Sequence, residues 1–172
     1  MLKATLENLI NHQFNRELHS SYLYLAMADY YSSVSLKGFS HWFFVQAKEE
    51  LDQAVLIMQF LHQNGNRVIF RPIEAPEMTF GDYLAPLKAT LEHEFMVTSG
   101  VNEIYDAAVE QKEYRTMQFF DWFLKEQAKE EKEAQDLVAR YNIAGGDGKG
   151  IFLLDQEMGM RAYVERPRLE TV

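Results

Sequence analysis

The sequence contains no cysteine, which excludes disulfides, zinc–thiolate sites and thiol catalysis. Proline is scarce, four in 172 residues, and none precedes Pro72, so nothing of that kind interrupts a helix in the first 71 positions. No stretch approaches the roughly 20 consecutive apolar residues that a membrane span requires. The opening residues Met1 to Glu7 turn polar too early for a secretory signal, so a soluble, cytoplasmic protein is expected. Basic residues are outnumbered, 17 Lys and Arg against 26 Asp and Glu, and the net charge is −9. With no basic tail or stripe to neutralise phosphates, nucleic acid is not an expected partner. The glycine-rich segment Gly145–Gly150 lacks the Lys-Ser/Thr ending of a phosphate loop and follows no strand.

What the chain has in quantity is helix-forming apolar pattern. Hydrophobic residues make up 47% of it, with 12 Phe and 9 Tyr as bulky core material, enough for a single domain over 1–172. A 3.6-residue period predicts an all-α fold with helices over about 5–33, 36–64, 81–110 and 114–141. A short fifth helix is predicted over about 151–163, with a polar tail to 172. Helices of this length span about 40 Å. The first and second, and the third and fourth, are joined by turns of a few residues and must form antiparallel hairpins. The irregular connection over 66–80 can stretch about 50 Å, the length of a bundle, which makes the second and third helices parallel.

One glutamate sits mid-stripe on each long helix: Glu17, Glu50, Glu94 and Glu130. At 100° per residue Glu17 shares its sector with Ile10, Gln13, Phe14, Ser21 and Tyr24. Glu50 shares its own with Phe43, Gln46, Ala47, Gln53 and Ile57. Leu87, Val97 and Val101 flank Glu94, and Phe123, Glu126, Gln127 and Leu137 flank Glu130. All four therefore point inward, and antiparallel packing brings them to one level. An uncompensated carboxylate in a helix core costs several kcal/mol or more, roughly, and too few cations lie on these stripes to offset it. Each glutamate taken singly reads as well as part of a solvated face. Four together point to a bound cation with oxygen ligands.

These segments resemble the ferritin family, specifically the bacterial non-haem type, over nearly the whole chain. The resemblance is carried by Asn15-Arg16-Glu17 through Tyr24, Gln46-Ala47-Lys48-Glu49-Glu50, Glu92-His93-Glu94, Phe119–Trp122, Glu126-Gln127 and Glu130-Glu131. It implies a ferritin-like four-helix bundle with one long crossover and a short fifth helix. It also implies a diiron centre in which Glu17 binds the first iron and Glu50 bridges both. Glu94 and Glu130 would hold the second iron, with Gln127 close by. Glu49 and Glu126, with Glu130, would contribute to a third iron site. Tyr24 matches the tyrosine beside such a centre, an electron donor or a hydrogen-bond partner of a ligand. Read from the residue alone, Tyr24 is equally a core tyrosine with a satisfied hydroxyl.

Two positions depart from the family pattern. Gln53 stands where the second helix has histidine in Glu-x-x-His, so the first site loses its nitrogen donor; the Gln53 carbonyl oxygen is a weaker, neutral metal ligand, and ferrous iron is expected to bind more loosely. Helical phase supplies no replacement: His12, His19 and His41 point away from the stripe, and His62 and His93 are expected at the surface or rim. Lys129 lies where a related ferritin has an acidic third-site ligand, and its charge should weaken that site. Asp52 is aimed away from Glu50. Leu51 occupies the place of a bacterioferritin's haem-ligating methionine, so haem is not implied.

The resemblance implies oxidation of Fe(II) to Fe(III) by O₂ or H₂O₂ and storage of the ferric mineral in a homo-oligomeric shell of 24 subunits. The apolar residues Ile151, Phe152, Leu153 and Leu154 suit a subunit contact, or packing of the short helix on its own bundle. Two other readings stand beside this one: a storage or iron-release subunit whose oxidation is impaired by Gln53, and a metal-free helical scaffold.

Overall fold

The structure, a computed structural model, describes residues 2–145 and 147–165. Five helices account for the secondary structure of these residues: α1 Ala4–Ser33, α2 Lys37–Gln63, α3 Ala85–Gln111, α4 Tyr114–Ile143 and α5 Gly148–Met158. None of them is long and apolar enough to cross a membrane. The four long helices agree with the periodic reading except at the start of α3. That helix begins at Ala85, not near Gly81, because the Asp82 carboxylate accepts from the Leu84 and Ala85 amides at 2.9 and 2.8 Å. Pro86, with no amide proton to leave unsatisfied, then sits in the first turn. The fifth helix also starts earlier than the expected 151, since Asp147 caps it by accepting from the Gly150 amide at 2.8 Å. It ends at Met158, so the expected residues 159–163 lie beyond it.

Helix directions follow from which residues meet at each end. Leu6, Ile10, Ile57, Leu61, Val101, Ile104, Phe120 and Phe123 form one apolar cluster. Tyr24, Tyr31, Phe39, Phe43, Leu87 and Leu137 form a second at the other end, covered by Ile151, Leu154 and Met158 of α5. Early α1 therefore meets late α2, and early α3 meets late α4. The helices α2 and α3 run parallel, and the connection over 64–84 travels the length of the bundle. Asn11 and Asn15, one turn apart on α1, hold it down. Their side-chain oxygens accept from the Ile69 and Arg71 amides at 2.7 and 2.8 Å, and their amides donate to the Arg67 and Ile69 carbonyls.

The helix α2 has no capping side chain of its own. Instead Asp155 of α5 accepts from the amides of Gly38 and Phe39 at 2.8 and 2.9 Å, satisfying orphan donors at the α2 N-terminus. Gly38 is required for this approach, because a Cβ there would lie 1.6 Å from the Asp155 carbonyl oxygen. Ile151 and Leu154 are thus committed to their own bundle, while Phe152 and Leu153 remain exposed.

Candidate metal centre

Between the two apolar clusters lies a polar layer. Glu17, Glu50, Glu94 and Glu130, one from each long helix, are 0, 1, 2 and 3% exposed there. One carboxylate oxygen from each of Glu50, Glu94 and Glu130 lies within 4.8 Å of the other two, spacing suited to a shared cation. Glu17 is buried in the same layer but falls outside that group of three; it feels the charge of Glu94.

Neutral glutamine and tyrosine side chains donate hydrogen bonds to these carboxylates. Gln13 Nε2 donates to Glu17 Oε1 at 2.7 Å, and Gln46 Nε2 donates to Glu50 Oε1 at 2.6 Å and Glu130 Oε1 at 3.3 Å. Gln53 Nε2 donates to Glu130 Oε1 at 2.9 Å. Gln127 Nε2 donates to Glu94 Oε2 at 3.2 Å and to Thr98 Oγ1, and the Tyr24 hydroxyl donates to Glu94 Oε1. Among the described residues no lysine or arginine pairs with Glu17, Glu50 or Glu94.

Several buried acceptors are left over. Glu17 Oε2, Gln53 Oε1 and Gln127 Oε1 meet no donor, an arrangement that costs stability unless something positive supplies the missing partner. The proton affinities express the same excess. Burial, reinforced by the Glu94 charge and opposed by the Gln13 hydrogen bond, pushes Glu17 up to about 7. Burial and then the charges of Glu130, Glu94 and Glu17 hold Glu50 well above the usual carboxylate range. Burial raises Glu94 as well, against the hydrogen bonds from Tyr24 and Gln127. A layer of this kind fits a multivalent cation with oxygen ligands by its donor set alone.

Two residues expected at a third site have basic partners. Glu49 is buried, and its Oε2 accepts from Arg161 Nη2 at 2.8 Å. Glu126 Oε1 pairs with Lys129 Nζ at 2.9 Å, so Lys129 engages its acidic neighbour directly. Asp52 accepts from the Tyr163 hydroxyl at 2.5 Å, away from the centre as its helical angle implied.

His93 corrects a sequence-based expectation. It lies buried between α1 and α3, not at the rim, with Nε2 2.7 Å from Ser20 Oγ, and burial depresses it to about 4. It stands edge-on to Tyr24 at 5.9 Å and, among the described residues, belongs to no cluster of ligating atoms. Sequence reasoning also passed over the hydrogen bonds made by Gln13, Gln46 and Arg161. The first two carried a signal, a glutamine four residues before the glutamate on both α1 and α2; Arg161 carried none, because it follows α5 in an irregular segment.

Comparison with known proteins agrees with this fold. Residues 7–143 match the family model described as "Ferritin-like domain". A Haemophilus influenzae protein named "Probable bacterial non-heme ferritin-like protein" is 33% identical over 159 residues, 92% of this chain and 96% of its own. A Staphylococcus aureus protein named "Bacterial non-heme ferritin" is 32% identical over 165 residues, 96% of this chain and 99% of its own. Among solved structures, an open-pore ferritin from the archaeon Archaeoglobus fulgidus is 35% identical. It superposes with a TM-score of 0.92 over 94% of this chain and 100% of that one.

Proposed function

The chain belongs to the ferritin family, whose work is iron storage, and on that premise we propose that its polar layer is a diiron ferroxidase centre. Ferrous ions are the substrate. Glu17 takes one, Glu50 bridges the pair, and Glu94 and Glu130 hold the second, with Gln127 beside them. Each ion gives up one electron, and O₂ or H₂O₂ accepts the pair together with protons. The observation that carries this reading is the convergence of Glu50, Glu94 and Glu130 within 4.8 Å, attended by neutral donors. Tyr24, whose hydroxyl donates to Glu94, would orient a ligand of the second ion.

The stoichiometry proposed is two ions rather than three, because Glu49 and Glu126 already pair with Arg161 and Lys129. The ferric product passes to a mineral inside a shell of like subunits, 24 by analogy with the family. Exposed apolar residues on α1 and α2, among them Tyr22, Leu25, Phe44 and Leu51, support burial between subunits. A location in the cytoplasm accords with the bacterial relatives. Haem has no part in the scheme.

A second reading keeps the storage shell and weakens the oxidation. It is favoured by Gln53, whose amide donates to Glu130 while its carbonyl oxygen finds no donor. Stopped-flow oxidation of Fe²⁺ by the apoprotein separates the two, and crystals soaked in Fe²⁺ with anomalous scattering at the iron edge locate the ions. A burst of two Fe²⁺ oxidised per chain is expected. Slow oxidation with retained mineral favours the storage subunit. No bound metal, with Glu50→Ala and Glu94→Ala as stable as the parent, makes the bundle a scaffold.

A further inference from the structure

Arg161 lies past the end of α5, yet it reaches the edge of the polar layer. Its guanidinium stacks 4.3 Å over the Trp42 ring and donates through Nη2 to Gln46 Oε1 at 2.7 Å and to Glu49 Oε2 at 2.8 Å. Trp42, Gln46 and Glu49 form one stripe of α2 at helical spacing, so the arginine grips a single face of that helix. Its side chain is only 14% exposed, and its carbonyl oxygen lies 2.9 Å from His41 Nε2. The segment is held in place because Asp155 caps α2 and Met158 is buried just before it.

We propose that Arg161 is a positioning residue for the bridging glutamate, acting through the Gln46 side chain. The inference rests on the diiron reading above. A guanidinium has five donors and no acceptor, so Gln46 must turn its carbonyl oxygen toward Arg161. The amide nitrogen is then committed to the opposite side, where it donates to Glu50 Oε1 at 2.6 Å and to Glu130 Oε1 at 3.3 Å. Arg161 therefore decides that Glu50 meets a donor and not a carbonyl oxygen. Because the anchoring bond is charge-assisted, it also polarises the amide and strengthens the donation beyond it. One oxygen of Glu50 is steadied in this way, and the carboxylate is presented to the ions in a single orientation.

The same device recurs on the neighbouring helix. Arg16 Nη1 donates to Gln13 Oε1 at 2.9 Å, and Gln13 Nε2 donates to Glu17 Oε1 at 2.7 Å. Space for that arginine comes from Gly100, where a Cβ would lie 1.5 Å from Arg16 Nη1. Two of the four carboxylates are thus approached by an arginine–glutamine relay. That of Glu17 is local to α1, whereas that of Glu50 ties the centre to the segment after α5.

The test is anaerobic binding of Co²⁺, a redox-inert stand-in whose visible absorption reports ligand arrangement. It uses the assembled parent, R161Q, R161K, Q46M and R161Q/Q46M. Loss of a partner behind a metal ligand costs about 10- to 100-fold in metal affinity. The expected result is a loss of about tenfold for R161Q with a changed Co²⁺ spectrum, and near-parental behaviour for R161K. Q46M should lose as much as R161Q, and the double variant no more than Q46M, since both changes break one relay. Parental affinity and spectrum in R161Q overturn the proposal, as does a further tenfold loss when R161Q is added to Q46M. Should R161Q fail to assemble, Q46M decides, because it leaves the Arg161–Glu49 pair and Trp42 stack intact; unchanged binding there overturns the relay. A parent that binds no Co²⁺ overturns the metal reading and this one with it, whereas binding unchanged across the variants overturns this one alone.

Discussion

Gln53 is buried in the polar layer three residues after Glu50 on α2. Its amide is spent on Glu130 and its carbonyl oxygen is buried without a donor. A neutral amide oxygen is a weaker ligand than imidazole. Gln53→His is therefore expected to raise Fe²⁺ affinity at the first site about tenfold, roughly 1.4 kcal/mol, and to speed the initial oxidation phase. Stopped-flow traces at limiting Fe²⁺ check this; an unchanged or slower first phase counts against it. Glu17 gives a pH dependence of definite sign. Its carboxyl is pushed up to about 7 in the folded apoprotein from an ordinary 4.5, so the native state binds more protons than the unfolded chain between those values. Stability from this group is therefore present at low pH and is lost as pH rises through about 7. His93, depressed to about 4 from 6.5, contributes the opposite slope at acid pH in every variant, so the measure is the difference: between pH 5.5 and 8 the parent's melting temperature should fall relative to that of Glu17→Gln. The four glutamates and Gln53 were legible in the sequence because helical phase alone says which residues face inward. His93 was not: phase gives its angle on α3 but not the depth of the groove beside Ser20 on α1.

Among the elements, α5 does more than its short length suggests. Its Asp155 stands in for the cap that α2 lacks, and its buried face closes the end of the bundle where Tyr31, Phe39 and Leu87 pack. Asp155→Ala is expected to cost about 1 kcal/mol as a lost N-cap, a fall in Tm of roughly 2–4 °C for a chain of this size. Gly38→Ala should cost more than that, because the added methyl would meet the α5 backbone at 1.6 Å. Thermal melts of the two variants check the order; Gly38→Ala as stable as the parent would contradict the tight approach. None of this coupling was visible in the one-dimensional pattern, which located α5 only by its apolar residues and placed it three residues late. The cap connects positions more than a hundred residues apart, and such a bond leaves no periodic trace. The long helices, in contrast, were legible to within a few residues, since their apolar stripes, and for α1 and α2 the absence of proline before Pro72, specify them locally. The start of α3 lies later than the glycine suggested because the Asp82 carboxylate, accepting from the Leu84 and Ala85 amides, holds the preceding residues in a turn.

At the scale of the whole molecule, two apolar cores flank a layer that resists closure. Without metal, burial and the mutual repulsion of Glu130, Glu94, Glu17 and Glu50 work against the packing that the Phe- and Tyr-rich ends favour. Under the diiron reading proposed above, cations bound in the layer would reverse the sign, joining the helices that supply their ligands. An ion that binds only the folded state stabilises it by RT ln(1 + [L]/Kd), about 2.7 kcal/mol at one hundred times Kd. At roughly 2–4 °C per kcal/mol, that raises the melting temperature of the parent by about 5–10 °C. Glu50→Gln separates the two effects because it removes charge from the bridging position while preserving shape. The apoprotein of this variant should melt above the parent at pH 8, since a buried carboxylate held well above its ordinary range is the one whose ionisation is most costly. The same variant should lose most of the rise on adding Zn²⁺ or anaerobic Fe²⁺. Opposite signs from one substitution are the signature to look for in paired melts. A variant less stable than the parent both with and without metal would mean that Glu50 serves packing, and that the layer is held together by its glutamine hydrogen bonds rather than readied for ions.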